Sequence, residues 1–176
     1  MSGITHMGNS LEEYLENNIS WLGRVEEDGS KIKSKDGDLK SSLTEMKSFP
    51  YVEAKDGAWN QVRPHKYIPV IGYNKDEDTF FIMPPEDIIK KAISRKGQHT
   101  INSMECVNLG KPTSTNWGKD YVVDEASIEE TLLEVYRISH SDSNKEVKKF
   151  AASCRKNIEI LIEEQQETWR RLNDTK

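Results

Sequence analysis

Cysteine is scarce in this chain. The two present, Cys106 and Cys154, lie far apart and match no metal-ligand spacing. Neither a disulfide framework nor a thiolate zinc site therefore has the residues to build it. Two free thiols suit a reducing cytoplasm. The four histidines, at positions 6, 65, 99 and 140, do not cluster either. No run approaches the roughly 18 consecutive apolar residues of a membrane span, and Met1 to Ser10 lacks the apolar centre of a secretory signal. Glycine-rich phosphate loops are missing too. Neither the Walker A run nor G-x-G-x-x-G occurs, and G-x-S-x-G is absent, which leaves no support for an ATPase, a dinucleotide enzyme or a serine hydrolase.

What is present is charge. Of 176 residues, 31% are charged and only 35% are hydrophobic. That length supports one domain with a core, and that polarity implies much surface or extended helix. Residues 1–7 read as an expression scar, with Met7 the natural start. Residues 8–124 read as an α/β core and 125–176 as a helical C-terminal extension. The net charge of −5 argues against an indiscriminate nucleic-acid binder. The charge is uneven, however. Between Lys31 and Lys66 stand lysines at 31, 33, 35, 40, 47, 55 and 66 and Arg63, against Asp36, Asp38, Glu45, Glu53 and Asp56. An acidic total with a locally basic segment suits a selective DNA enzyme.

That segment contains Asp38-Leu-Lys-Ser-Ser-Leu-Thr-Glu45-Met-Lys47-Ser-Phe-Pro50. Glu45 and Lys47 are two apart, so in a strand they share a face. A hairpin or bulge after Asp38 brings its carboxylate to the same face. Two converging carboxylates make a hard oxygen site suited to Mg²⁺. A lysine beside the metal can orient an attacking water and stabilise charge on a phosphate. A second Glu-x-Lys, Glu53-Ala54-Lys55, follows apolar Tyr51-Val52 and reads as the more buried strand.

The pattern resembles the PD-(D/E)XK nuclease superfamily, and its D-x6-E-x-K-x-x-P form looks like the MutH mismatch-repair nuclease and its restriction-enzyme relatives. The resemblance covers roughly Gly37 to Pro85. Gly37 stands where many members carry a proline. The compact spacing and Pro50 favour Asp38, Glu45 and Lys47 as the catalytic set, with Asp38 and Glu45 as metal ligands. Glu53 and Lys55 are the second choice. The resemblance implies a restriction-endonuclease-like mixed sheet flanked by helices, a Mg²⁺ cofactor, double-stranded DNA as substrate and phosphodiester hydrolysis. It also lets Gln61, Arg63 and Lys66 contact phosphate or water near the metal, and Glu13 or Glu16 of an opening helix supply a further glutamate.

Asn9-Ser10 caps a helix expected from Leu11 to Leu22 and ended by Gly23. Val25 to Lys35, with Asp28-Gly29 and Asp36-Gly37 as turns, implies a hairpin. Ile68–Tyr73 and Thr79–Met83 read as a second hairpin around a charged turn. Pro84-Pro85-Glu86-Asp87 opens a helix whose basic side carries Lys90, Lys91, Arg95 and Lys96. Arg95 and Gln98 are residue types that read base edges, and His99 adjoins them as a third DNA-binding candidate. Ser103–Leu109 reads as a short strand, and Trp117 as a packing anchor or a DNA wedge. Helices are expected from Ser127 to Ser139 and from Lys145 to Leu172, packing on the sheet or offering a homodimer interface. The fold class is α+β, an α/β sandwich. Beside the nuclease stands a second reading, a non-catalytic module that binds DNA or protein and assembles through its helical tail.

Overall fold

Ser10 starts the described chain by capping a helix: its Oγ accepts the Glu13 N–H at 3.2 Å. The structure is a computed structural model and describes residues 10–24, 38–46, 51–95 and 104–174. Helix α1 spans Leu11–Asn18 and buries Leu11, Tyr14 and Leu15. It is shorter than the periodicity suggests. Ile19 is already extended, and Leu22 and Gly23 enter strand β1, Leu22–Arg24, where their backbone pairs with Ser41 and Lys40. Sheet pairing, not Gly23, ends the helix.

Among the described residues five more strands follow: β2 Asp38–Ser41, β3 Tyr51–Asp56, β4 Val70–Asn74, β5 Thr79–Met83 and β6 Val122–Val123. They form one mixed sheet in sequence order. Every pair is antiparallel except β3–β4, which is parallel. The expected hairpin of Ile68–Tyr73 and Thr79–Met83 is present as the β4–β5 pair, and the hairpin expected from Val25 to Lys35 lies outside the described residues. Helix α2 covers Pro85–Arg95, α3 Ile128–Ser139 and α4 Lys145–Asp174. Among the described residues no helix is long and apolar enough to cross a membrane.

Strand alternation sorts the side chains into two cores. One face carries Leu39, Val52, Ala54, Ile71, Tyr73, Phe80 and Ile82, packed under α1 and α3. The other carries Val70, Phe81 and Met83, packed under Trp59, α2 and α4 through Ile88, Ala92, Ala151, Cys154 and Ile158. The fold is therefore α+β, a six-stranded sheet flanked by helices. Each core draws residues from both sides of position 124.

The two layers are tied at the end of α3. The Tyr67 hydroxyl donates to the Ser139 carbonyl at 2.8 Å, and Ser139 Oγ donates to buried Glu86 at 3.0 Å. Burial pushes Tyr67 up to about 12 and raises Glu86. Next to this tie, the His140 ring lies 4.8 Å from that of Tyr136 and 6.4 Å from that of Tyr67. Burial first, and then the Lys148 cation, lower His140 to about 4. A depressed histidine stabilises the fold above its unfolded value near 6.5, and that stability is lost as pH falls toward about 4. Raised Glu86 acts in the opposite sense, since protonating it favours the folded state. The His140 contribution should thus lower the melting temperature across that acid window, and His140→Gln should flatten the slope. An unchanged slope in the variant would remove His140 as its source.

Candidate active site on the third strand

Glu53, Ala54 and Lys55 lie at the centre of β3. The odd positions face the α2/α4 side, because Val52 and Ala54 belong to the opposite core. Glu53 is 2% exposed. Its neighbour across the parallel pair is Val70, and the next residue in that row is Met83. A carboxylate thus ends an apolar row, a costly place for a charge unless it is paired. Lys55 supplies the pairing: its Nζ lies 2.9 Å from Glu53 Oε1 and donates to the Asn60 carbonyl at 2.7 Å.

The Asn60 carbonyl is held there by a short ribbon on the same face. Trp59 N–H donates to Gly110 O at 2.9 Å, Leu109 N–H to Trp59 O at 2.8 Å, and Val62 and Val107 exchange both backbone bonds. Between them Gln61 has a φ of 55°, and its N–H donates to Asn108 Oδ1 at 2.8 Å. Trp59, fully buried, anchors the ribbon by lying over Gly72, the register partner of Lys55. A Cβ at Gly72 would sit 2.2 Å from Trp59 Nε1. The absent side chain at 72 is therefore what lets the ribbon approach and present Asn60 to Lys55. Trp117 packs edge-on against Trp59 with centroids 5.3 Å apart, which makes it a packing anchor.

On the other side of β3, Asp38 is the direct cross-strand partner of Glu53. Residues so opposed in an antiparallel pair occupy the same face at close range. Two acidic positions and one lysine thus fall within two neighbouring strands, the two acids at one register position.

Arg63 and Lys66 are half-buried just after the ribbon. His65 between them shares a 2.7 Å hydrogen bond with the Met104 carbonyl. Burial lowers its pKa first, and the positive charges of Arg155, Lys66 and Arg63 lower it further. A basic cluster drawn from the 63–66 turn and α4 thus adjoins the site. Cys106 lies in the field of Arg63, Glu105, Lys55 and Glu53, and burial pushes its thiol up, away from thiolate.

The preferred sequence motif takes a different form. Glu45 is not in a strand. It sits exposed in a single 3₁₀ turn, Thr44–Met46. The cause is Met46, which is fully buried and draws the chain inward, while Ser41 Oγ receives the Leu43 N–H at 3.1 Å. That turn leaves Glu45 away from β3 pairing. Lys47, Gln98 and His99 lie outside the described residues. Arg95 is the last residue of α2, and Gln61 is exposed on the ribbon. Glu13 and Glu16 belong to α1, which packs on the opposite sheet face and has its Leu11 N–H bonded to Asp56 at 3.1 Å. Asn60 and Arg155 were not singled out by sequence, and Cys106 only as a free thiol. Nothing local links Arg155 to residues some 90 positions away.

A cavity of about 440 Å³ lies on the far face, lined by Tyr14, Asn18, Glu125 and Glu129 among others. Its polar groups are engaged internally: Tyr14 hydroxyl donates to Glu125, and Trp21 Nε1 donates to Glu129 at 2.7 Å. Among the described residues no three His, Cys, Asp or Glu side chains gather as a metal cage. Compared with known proteins, the chain matches no family model, no curated protein and no solved structure.

Proposed function

We propose that this chain is a Mg²⁺-dependent endonuclease that hydrolyses phosphodiester bonds of double-stranded DNA, of the restriction or repair type. The working residues in this reading are Asp38, Glu53 and Lys55. The observation that carries it is buried Glu53 paired with half-buried Lys55 on β3, with Asp38 at the facing register position on β2. The resemblance of Asp38 and a Glu-x-Lys strand to the PD-(D/E)XK nucleases supports it, with Glu53-Ala54-Lys55 as that strand rather than Glu45-Met46-Lys47.

The donor set suits the metal. Asp38 and Glu53 offer only carboxylate oxygen, and Mg²⁺ uses one or two carboxylates and keeps several waters. Bound there, the ion would supply Lewis-acid stabilisation of the charge that builds on the phosphate. Glu53 would hold the ion and, through it, the register of the phosphate over β3. Lys55, fixed by Glu53 and the Asn60 carbonyl, keeps its ammonium at the pair for a phosphate oxygen and the attacking water. Arg63, Lys66 and Arg155 would engage neighbouring phosphates along the strand.

The test is incubation of the purified chain with plasmid and mixed genomic DNA, with Mg²⁺ and with chelator. Metal-dependent cutting that Glu53→Gln abolishes is expected. Binding without cutting across many DNA types would favour a non-catalytic DNA- or protein-binding module instead.

A further inference from the structure

We propose that the C-terminal end of α4 pairs antiparallel with the same helix end of a second copy of this chain. The first observation is a repeat. Val147, Ala151, Cys154 and Ile158 pack α4 onto the core at alternating spacings of four and three residues. The same alternation continues without a break through Leu161, Gln165, Thr168 and Leu172. That is a heptad seam, with one half already used inside the fold.

The second observation is where the core stops. Every described residue of the chain after Ile158 is exposed, while the helix runs on to Asp174. Sixteen further residues project for about 24 Å. Along this end lies a shallow groove lined by Leu161, Glu164, Thr168, Trp169 and Leu172. Trp169 is 68% and Leu172 65% exposed. The seam is thus covered over its first half, while Leu161 and Leu172 of its second half stay exposed.

Charge and register say what that partner is. Glu164 and Arg171 occupy one flank of the seam, seven residues apart. When two copies run antiparallel, Leu161 of each faces Leu172 of the other. In that register Glu164 of one copy lies beside Arg171 of the other, twice by symmetry. A parallel pair would set Glu164 beside Trp169 and form no ion pair. Arg171 also bonds Glu167 of its own helix at 3.3 Å but remains 78% exposed. The surface is thus complementary to itself in one orientation.

The test is sedimentation of the full chain at increasing concentration. Two short heptads predict a reversible dimer that forms as concentration rises. Glu164→Arg and Arg171→Glu should each weaken it about tenfold, since each turns two attractions into repulsions. The double reversal should restore it, and Leu172→Asp should leave a monomer with unchanged helix content. A chain that stays monomeric at about 100 µM, or a dimer indifferent to the single reversals, or a double variant no tighter than the singles, would overturn the proposal.

Discussion

Glu53→Gln is expected to reduce Mg²⁺-dependent DNA cleavage by about a thousandfold while leaving DNA binding within a few-fold of the parent. The substitution keeps the side chain's shape at a site that is 2% exposed, so the fold should tolerate it. What it removes is the charge that would hold the cation. Lys55→Met is expected to cost at least about a hundredfold, but by itself it leaves Glu53 buried without its 2.9 Å partner. Loss of activity there can therefore reflect damage to the strand. The double variant Glu53→Gln, Lys55→Met separates the two effects. A buried pair replaced on both sides should return stability close to the parent, and cleavage should remain lost. Glu45→Gln, on its exposed turn, should cut at the parent rate. Undiminished cleavage in the double variant would exclude β3 as the active strand. Loss of cleavage in Glu45→Gln with retention in Glu53→Gln would return the role to the first Glu-x-Lys.

Gly72→Ala is expected to be the most damaging small substitution in the sheet. The added Cβ would meet the Trp59 indole at 2.2, 2.6 and 2.6 Å. Trp59 is fully buried and braced by Trp117, so it has nowhere to retreat. Overpacking of this kind costs about 3 kcal/mol, which lowers the melting temperature of a chain this size by about 10 °C. The clash should also swing Asn60 away from Lys55, so activity should fall further than stability alone accounts for. Trp59→Leu in the same chain should recover part of the loss, because the two changes share one contact. Gly23→Ala is the control. Nothing lies within 4 Å of a Cβ there, and its effect should stay within about 0.5 kcal/mol. Equal effects at both glycines would show that Trp59 is not wedged against β4.

These expectations mark where local sequence is informative. The second hairpin was legible because Ile68–Tyr73 and Thr79–Met83 are apolar runs around a charged turn, and burial on both faces of β4 rewards such a run. Helices α2, α3 and α4 were legible from their 3.6-residue stripes and from the proline-acid start of α2. The boundary of α1 was not, because the apolar spacing at Ile19 and Leu22 continues a helix pattern that sheet pairing overrides. Strand β6 is two residues long and carries no periodicity. At the site, Asp38 and both Glu-x-Lys pairs were visible, but their ranking rested on spacing. Spacing cannot register that Met46 is a core anchor, or that Tyr51-Val52 commits the later pair to the sheet. Burial sets the two motifs apart, and burial is a tertiary property. The basic cluster shows the same limit, since Arg155 reaches His65 from a separate helix.

Metal binding tests the central claim without requiring knowledge of the DNA sequence that is cut. Mn²⁺, a spectroscopic substitute for Mg²⁺, can be titrated into the chain and followed by electron paramagnetic resonance. The parent and Glu45→Gln should take up the ion with the same affinity, and Glu53→Gln should lose at least about tenfold. Equal uptake by Glu53→Gln and the parent, or a loss confined to Glu45→Gln, would contradict the assignment of the cation to β3.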